Sequence, residues 1–240
     1  MNSKQMDKNE IRELIGRYGT DPELAHMRLD LSYFAAEVFN DAGQELHVVG
    51  YMLGSDRVTG RSPFGNGTDE TVGVSAILRI GADLIVSAAR LFELKHAYSA
   101  AALLRQLVEV EYLAWAFEHR KDDAELWLRS DREVREKFFR PAKLRAAAND
   151  RFRGVDYSYH CELGGHPVPG GVMLLAHSQD GFDQLLLSDL LGHVGRIWDH
   201  IVGWAKRSQH GESIRTRSLR MSERFQEWKA ADRLVDLPPP

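Results

Sequence analysis

Apolar residues along the chain recur at helical rather than strand intervals. In "DQLLLSDLLGHVGRIWDHIVGWAKR" (183–207), Leu186, Leu190, Val194, Ile197, Ile201 and Trp204 fall on one stripe when successive residues are turned by about 100°. Runs with the period-two alternation of a half-buried strand are scarce. The expected fold class is therefore all-α, a helical bundle with long central antiparallel helices and an N-terminal helical extension.

Punctuation in the sequence divides that pattern. Residues 1–53 form an N-terminal helical portion, with a helix start at Thr20 or Asp21 before Pro22. Residues 54–70, "GSDRVTGRSPFGNGTDE", have loop chemistry and no apolar period. Residues 71–207 make the main bundle, and 208–240 a C-terminal helix ending in a proline tail. Inside the bundle two long helices meet near "LKHAYSA", and a charged, aromatic third region is divided at Pro141. "YSYHCEL" reads as a short helix stopped by Gly164 and Gly165, after which "HPVPGG" must extend or turn, with His166 at the bend.

Polar residues that break the pattern are the candidates for chemistry. Arg79, Asp83, Arg90 and Glu93 share one stripe of the first long helix and read as its solvated face. On the second, Glu111 and Glu118 stand seven residues apart and are expected to mark the solvent side. Arg105 and Glu109 project roughly 140–180° away from them, among Ala101, Ala102, Tyr112 and Ala116, and are expected to face inward. An unpaired buried ion costs several kcal/mol, so the two must find each other or further polar groups. They either orient helices as a buried ion pair, or offer a guanidinium fork to a phosphate or carboxylate while Glu109 orients a histidine or a metal. On the last long helix Asp189, His193, Arg196 and His200 line one margin of the apolar stripe. That row fits a solvated boundary, or a site for a metal, a phosphate or an acidic partner helix.

"YSYHCELGGHPVPGG" (157–171) holds two histidines and the only cysteine of the chain. Cys161 could act as a nucleophile with His160 or His166 as base, but a buried structural thiol is the commoner role of a free cysteine. One cysteine without a second paired-ligand spacing does not make a structural zinc site. The sole helical Glu-x-x-His, Glu93 to His96, lies beside the solvated stripe. No metal and no cofactor are expected. The expected polar pocket joins Arg105 and Glu109 to His160 and His166, with Asp189, His193, Arg196 and His200 as secondary candidates.

Composition adds exclusions. The 240 residues are 43% hydrophobic and 28% charged, ordinary for a packed protein, and the formal net charge of −4 gives no global positive field to gather nucleic acid or anionic membrane. The start lacks an apolar signal core, and the most apolar stretch is interrupted by Arg79, Asp83 and Arg90, so no bilayer span is expected. With a single cysteine, this points to the cytoplasm.

"ALLRQLVEVEYLAWAF" followed some fifty residues later by "YSYHCELGGHPVP" resembles an uncharacterised bacterial all-helical family. In that family an Arg-x-x-x-Glu helix precedes a Tyr-containing helix ending in His, often His-Pro. The resemblance covers roughly residues 72–204 and implies Arg105, Glu109, Tyr157 or Tyr159, His166 and Pro167 as the matching positions. It also implies a helical layout similar to HEPN-type domains, some of which cleave RNA without metal at a dimer interface using an Arg and a His four to six residues apart. Arg153 and His160 have six intervening residues, although Gly154 stands where such motifs usually carry a polar residue. Three expectations follow. The first is non-catalytic binding of a small anion, nucleotide or protein partner in the pocket of Arg105, Glu109, Tyr157, His160 and His166. The alternatives are a HEPN-like metal-independent ribonuclease acting on RNA as a homodimer, and a metal-dependent hydrolase using Glu109, His160, His166, His193 and His200.

Overall fold

The structure, a computed structural model, describes residues 8–52, 69–149, 151–152, 154–175 and 181–237. Most of the expected 54–70 loop, together with Arg153, lies outside the described residues. Among the described residues all regular structure is helical: α1 (Lys8–Tyr18), α2 (Pro22–Met52), α3 (Asp69–Glu93), α4 (Ala97–His119), α5 (Asp123–Arg129), α6 (Arg132–Val134), α7 (Pro141–Ala147), α8 (Gly154–His160), α9 (Phe182–Arg207) and α10 (Glu212–Ala231). Short π-helical segments at Arg135–Phe139 and Cys161–Gly165 continue α6 and α8, and 3-10 turns occupy Pro169–Leu174 and Arg233–Asp236.

The boundaries follow local chemistry. Asp21 caps α2, its Oδ1 accepting from the backbone N–H groups of Glu23 (2.9 Å) and Leu24 (3.2 Å), with Pro22 as the first helical residue. The turn between α3 and α4 places Lys95 in the left-handed region at φ 61°, and Pro141 opens α7 at a position where no backbone donor is needed. Arg79, Asp83, Arg90 and Glu93 are all exposed, as their common stripe requires.

α2 lies along α3, α3 along α4, and α4 along α9, while α10 closes against α2 and α9. One core runs through these helices: Phe39 of α2, Ile85 of α3, Leu104 of α4, Val194 and Ile197 of α9, and Trp228 of α10. The N-terminal portion thus shares the bundle's core through α2. α3 is long and apolar enough to cross a membrane, the one such helix among the described residues, and here its apolar side chains pack on its neighbours. α4 is the central element, touching α3, α5, α7, α8, the π turn after α8, and α9.

A buried ion pair ties the chain ends to this frame. Arg28 of α2 and Asp232, just beyond α10, have fully buried side chains; Nε donates to Oδ2 at 2.7 Å and Nη2 to Oδ1 at 2.8 Å. Arg28 also reaches Gln184 Oε1 of α9 and the carbonyl of Tyr18, and Asp232 accepts from Trp228 Nε1. With nearly every donor and acceptor matched, removing one partner strands a charge in the core. Asp232→Ala is expected to cost about 3–5 kcal/mol, whereas Arg132→Ala, which breaks an exposed pair with Glu136, should stay within about 0.5 kcal/mol. Urea denaturation of both variants checks this; equal midpoints would refute it.

Candidate functional site

α4 carries two polar faces, and α8 supplies a side chain to each. On the first, Arg105 Nη2 lies 3.0 Å from Glu109 Oε1 and donates to the Tyr157 hydroxyl at 2.8 Å, while Tyr157 donates to Glu109 Oε1 at 3.2 Å. Arg105 Nε approaches Cys161 Sγ at 3.4 Å. Burial, and then the nearby Glu109 charge, push the Tyr157 phenol above its usual value, so it stays a donor. Arg145 of α7 also lies over this ring, its Cζ 4.5 Å from the centroid against 5.4 Å for Arg105. Close approach makes this possible: a Cβ on Gly164 would lie 2.4 Å from Ala102 N, so only glycine lets the π turn rest on the α4 backbone.

The second face reverses an expectation. Glu111 and Glu118 do not mark the solvent side; Glu111 is buried and Glu118 mostly so, because α9 lies against them and supplies nitrogen partners. Glu111 Oε2 meets His193 Nδ1 at 2.5 Å and its Oε1 accepts from Arg196 Nε at 2.9 Å; Glu118 Oε2 meets His200 Nδ1 at 2.6 Å. Burial alone would raise the Glu111 carboxyl, but His193 and Arg196 outweigh it and hold it below its usual range. Glu111 Oε2 and Arg196 Nη2 both meet His193 Nδ1, at 2.5 and 2.8 Å; in the tautomer with the proton on Nδ1, that nitrogen donates to the Glu111 carboxylate. His193 Nε2 is then the bare nitrogen. His200 is pushed down by burial, only partly offset by Glu118.

His193 Nε2 faces His160 Nε2 at 3.2 Å, and both rings are buried. Asp189 completes the group, with Oδ2 3.4 Å from His160 Nε2 and Oδ1 3.7 Å from His193 Nε2. A second convergence of ligand-type atoms joins Glu118, His119 and His200 at the far end of the same interface.

The expected pocket therefore divides. Arg105, Glu109 and Tyr157 come together as a half-buried group; Arg105 and Glu109 retain 24% and 35% side-chain exposure, so they line a seam rather than enter the core. His160, next in chain to Cys161, turns the other way and joins Asp189 and His193. His166 is exposed, with its backbone N–H bonded to Cys161 O, and lies apart from both groups. Tyr159 packs at the core's edge. The row on α9 is not a solvated margin: His193 and His200 are buried, while Asp189 and Arg196 are partly exposed. His160, buried against α9, is not presented to a polymer at the surface. Glu111 and Arg145 were not among the expected site residues, yet the signal for Glu111 was present. Two acids seven apart on α4 match two histidines seven apart on α9.

No family model, no curated protein and no solved structure matches the chain.

The inverted burial sets a stability order. Glu111→Ala should cost roughly 3 kcal/mol or more, since it strands His193 in the interior, while Glu109→Ala, at a half-exposed pair, should cost about 1 kcal/mol or less. Because the folded Glu111 value is depressed, its contribution is complete above the ordinary 4.5 and is lost as pH falls through the lower folded value. Urea midpoints between pH 7 and acid should show Glu111→Gln losing most at neutral pH and converging on the wild type in acid. A larger loss for Glu109→Ala would overturn the assignment.

Proposed function

We propose that the seam between α4, α7 and α8 binds a small anion of the phosphate or carboxylate type, held by Arg105 and Arg145 about Tyr157. One observation carries this reading: Arg145 Nη1 is buried and has no hydrogen-bond partner among the described residues. A guanidinium donor withdrawn from water without an acceptor costs about 1–3 kcal/mol or more, and an anion's oxygen removes that cost. Arg105 stands on the same ring and is paired with Glu109. Guanidinium forks match the paired oxygens of phosphate and carboxylate, and the protonated Tyr157 hydroxyl fixes the orientation of Arg105. Glu109 neutralises part of the charge and so favours a compact anion over a polyanion. Nothing in this reading requires bond making; the site is a binding site, which also accommodates the phosphate end of a nucleotide.

The test is thermal unfolding with inorganic phosphate against chloride at matched ionic strength. Phosphate is expected to raise the melting temperature of the wild type and of Glu111→Gln, and to leave Arg145→Ala and Arg105→Ala unmoved. An equal shift in chloride, or a full phosphate shift in Arg145→Ala, would sink the proposal.

A further inference from the structure

The geometry points to a three-ligand zinc site formed by His160 Nε2, His193 Nε2 and a carboxylate oxygen of Asp189, with Glu111 as the group that orients His193. This departs from the sequence expectation of no metal. It rests on residues outside the Arg105–Arg145 seam and stands or falls without it.

Four observations support it. First, the ligand atoms are spaced as a metal would space them. Zinc–nitrogen bonds of about 2.0–2.1 Å at a tetrahedral angle put two ligand atoms roughly 3.3 Å apart; the two imidazole nitrogens are 3.2 Å apart, and the Asp189 carboxylate comes within 3.4 Å of His160 Nε2 through Oδ2 and within 3.7 Å of His193 Nε2 through Oδ1. An octahedral edge would be shorter, about 2.9 Å for the same bond length. Second, the donor set selects the metal. Two imidazoles with one carboxylate suit zinc and its transition-metal neighbours, not the oxygen-seeking magnesium and calcium.

Third, the protonation pattern is that of a ligand pair. In the tautomer that donates Nδ1–H to Glu111 Oε2 at 2.5 Å, His193 Nε2 is left as a lone pair facing His160 and Asp189. A carboxylate behind a histidine in this way fixes the ring and raises its basicity toward a metal. Fourth, Asp189 Oδ2 is buried and accepts no hydrogen bond among the described residues, although His160 Nε2 is only 3.4 Å away. His160 Nε2 carries at most one hydrogen and meets His193 Nε2 more closely, at 3.2 Å, so the Asp189 oxygen is left without a donor. An uncompensated buried carboxylate oxygen is costly, and a divalent cation between the three groups removes the cost.

The site has a way in. His160 and His193 are each 1% exposed, whereas Asp189 retains 23% exposure. The cation therefore reaches the histidines past Asp189, and the same side leaves the fourth tetrahedral position to water or a small anion. Cys161 is not a ligand, since its sulfur faces Arg105 on the other side of the helix. The neighbouring Glu118–His119–His200 group is a weaker candidate, because Glu118 already holds His200 at 2.6 Å and His119 is 39% exposed and stacked on Trp115.

The experiment uses the full chain, stripped with chelator and titrated with Zn²⁺ against a chromophoric competitor. Co²⁺ serves as a spectroscopic substitute. The wild type is expected to bind one equivalent of Zn²⁺, to melt higher when loaded, and to give the intense visible spectrum of tetrahedral Co²⁺. Asp189→Asn, at the partly exposed ligand, should fold and lose at least tenfold in affinity together with the Co²⁺ spectrum. Glu111→Gln should lose about 10–100-fold, the usual effect of removing an orienting partner. His200→Gln should leave stoichiometry and spectrum unchanged. Three results would overturn the proposal: no saturable Zn²⁺ binding by the wild type; wild-type affinity in a folded Asp189→Asn; or binding lost in His200→Gln and kept in Asp189→Asn.

Discussion

The burial of the Glu111 carboxylate against His193 is the constraint around which the central interface is organised. A carboxylate withdrawn from water must be matched in place, and the match comes from a helix more than eighty residues further along the chain, through His193 and Arg196. Seven residues on, Glu118 and His200 repeat the arrangement. Two contacts at the same spacing and in the same order fix both the register of α4 against α9 and their direction, which is parallel. Parallel neighbours cannot be joined by a tight turn. The chain between them must cross back over the bundle, and α5 to α8 with their π and 3-10 turns are that crossing.

Both polar sites follow from this return path. The crossing packs on α4 through Gly164, where nothing larger than hydrogen fits against the Ala101 and Ala102 backbone. α8 is thereby held over α4 with Tyr157 and Cys161, one turn apart, on the Arg105 side. His160 points between them and α9. A single short helix thus delivers a phenol to a guanidinium pair and an imidazole to a histidine–aspartate pair. The two groups share a scaffold without sharing a residue, so each can be altered by substitution while the other is kept.

What could be read from the sequence was what one helix determines by itself. The α9 stripe from Leu186 to Trp204, the Pro22 helix start, the division at Pro141 and the exposed row from Arg79 to Glu93 all follow from spacing and local chemistry, and the structure has them. Glu111 and Glu118 were misread because a carboxylate on a helix is ordinarily a mark of solvent; its true partner lay on another helix, and only the matching seven-residue spacing of the histidines hinted at it. Arg105 and Glu109 were half legible: they pair as expected, but α8 covers them only in part. His160 and His166 sit six residues apart in one glycine-rich stretch, yet the π turn between them sends one ring inward and leaves the other in water. The Arg28–Asp232 clamp spans 204 positions and has no local signature at all.

The most direct test of the account is the tautomer of His193 in the metal-free protein, read from imidazole nitrogen-15 shifts and two-bond proton couplings. If Glu111 governs the interface, Nδ1 carries the proton and Nε2 is bare, and Glu111→Gln relaxes that preference. A proton on Nε2 with Nδ1 bare in the wild type would contradict the account, because Glu111 would then neither orient the ring nor leave a lone pair facing His160 and Asp189.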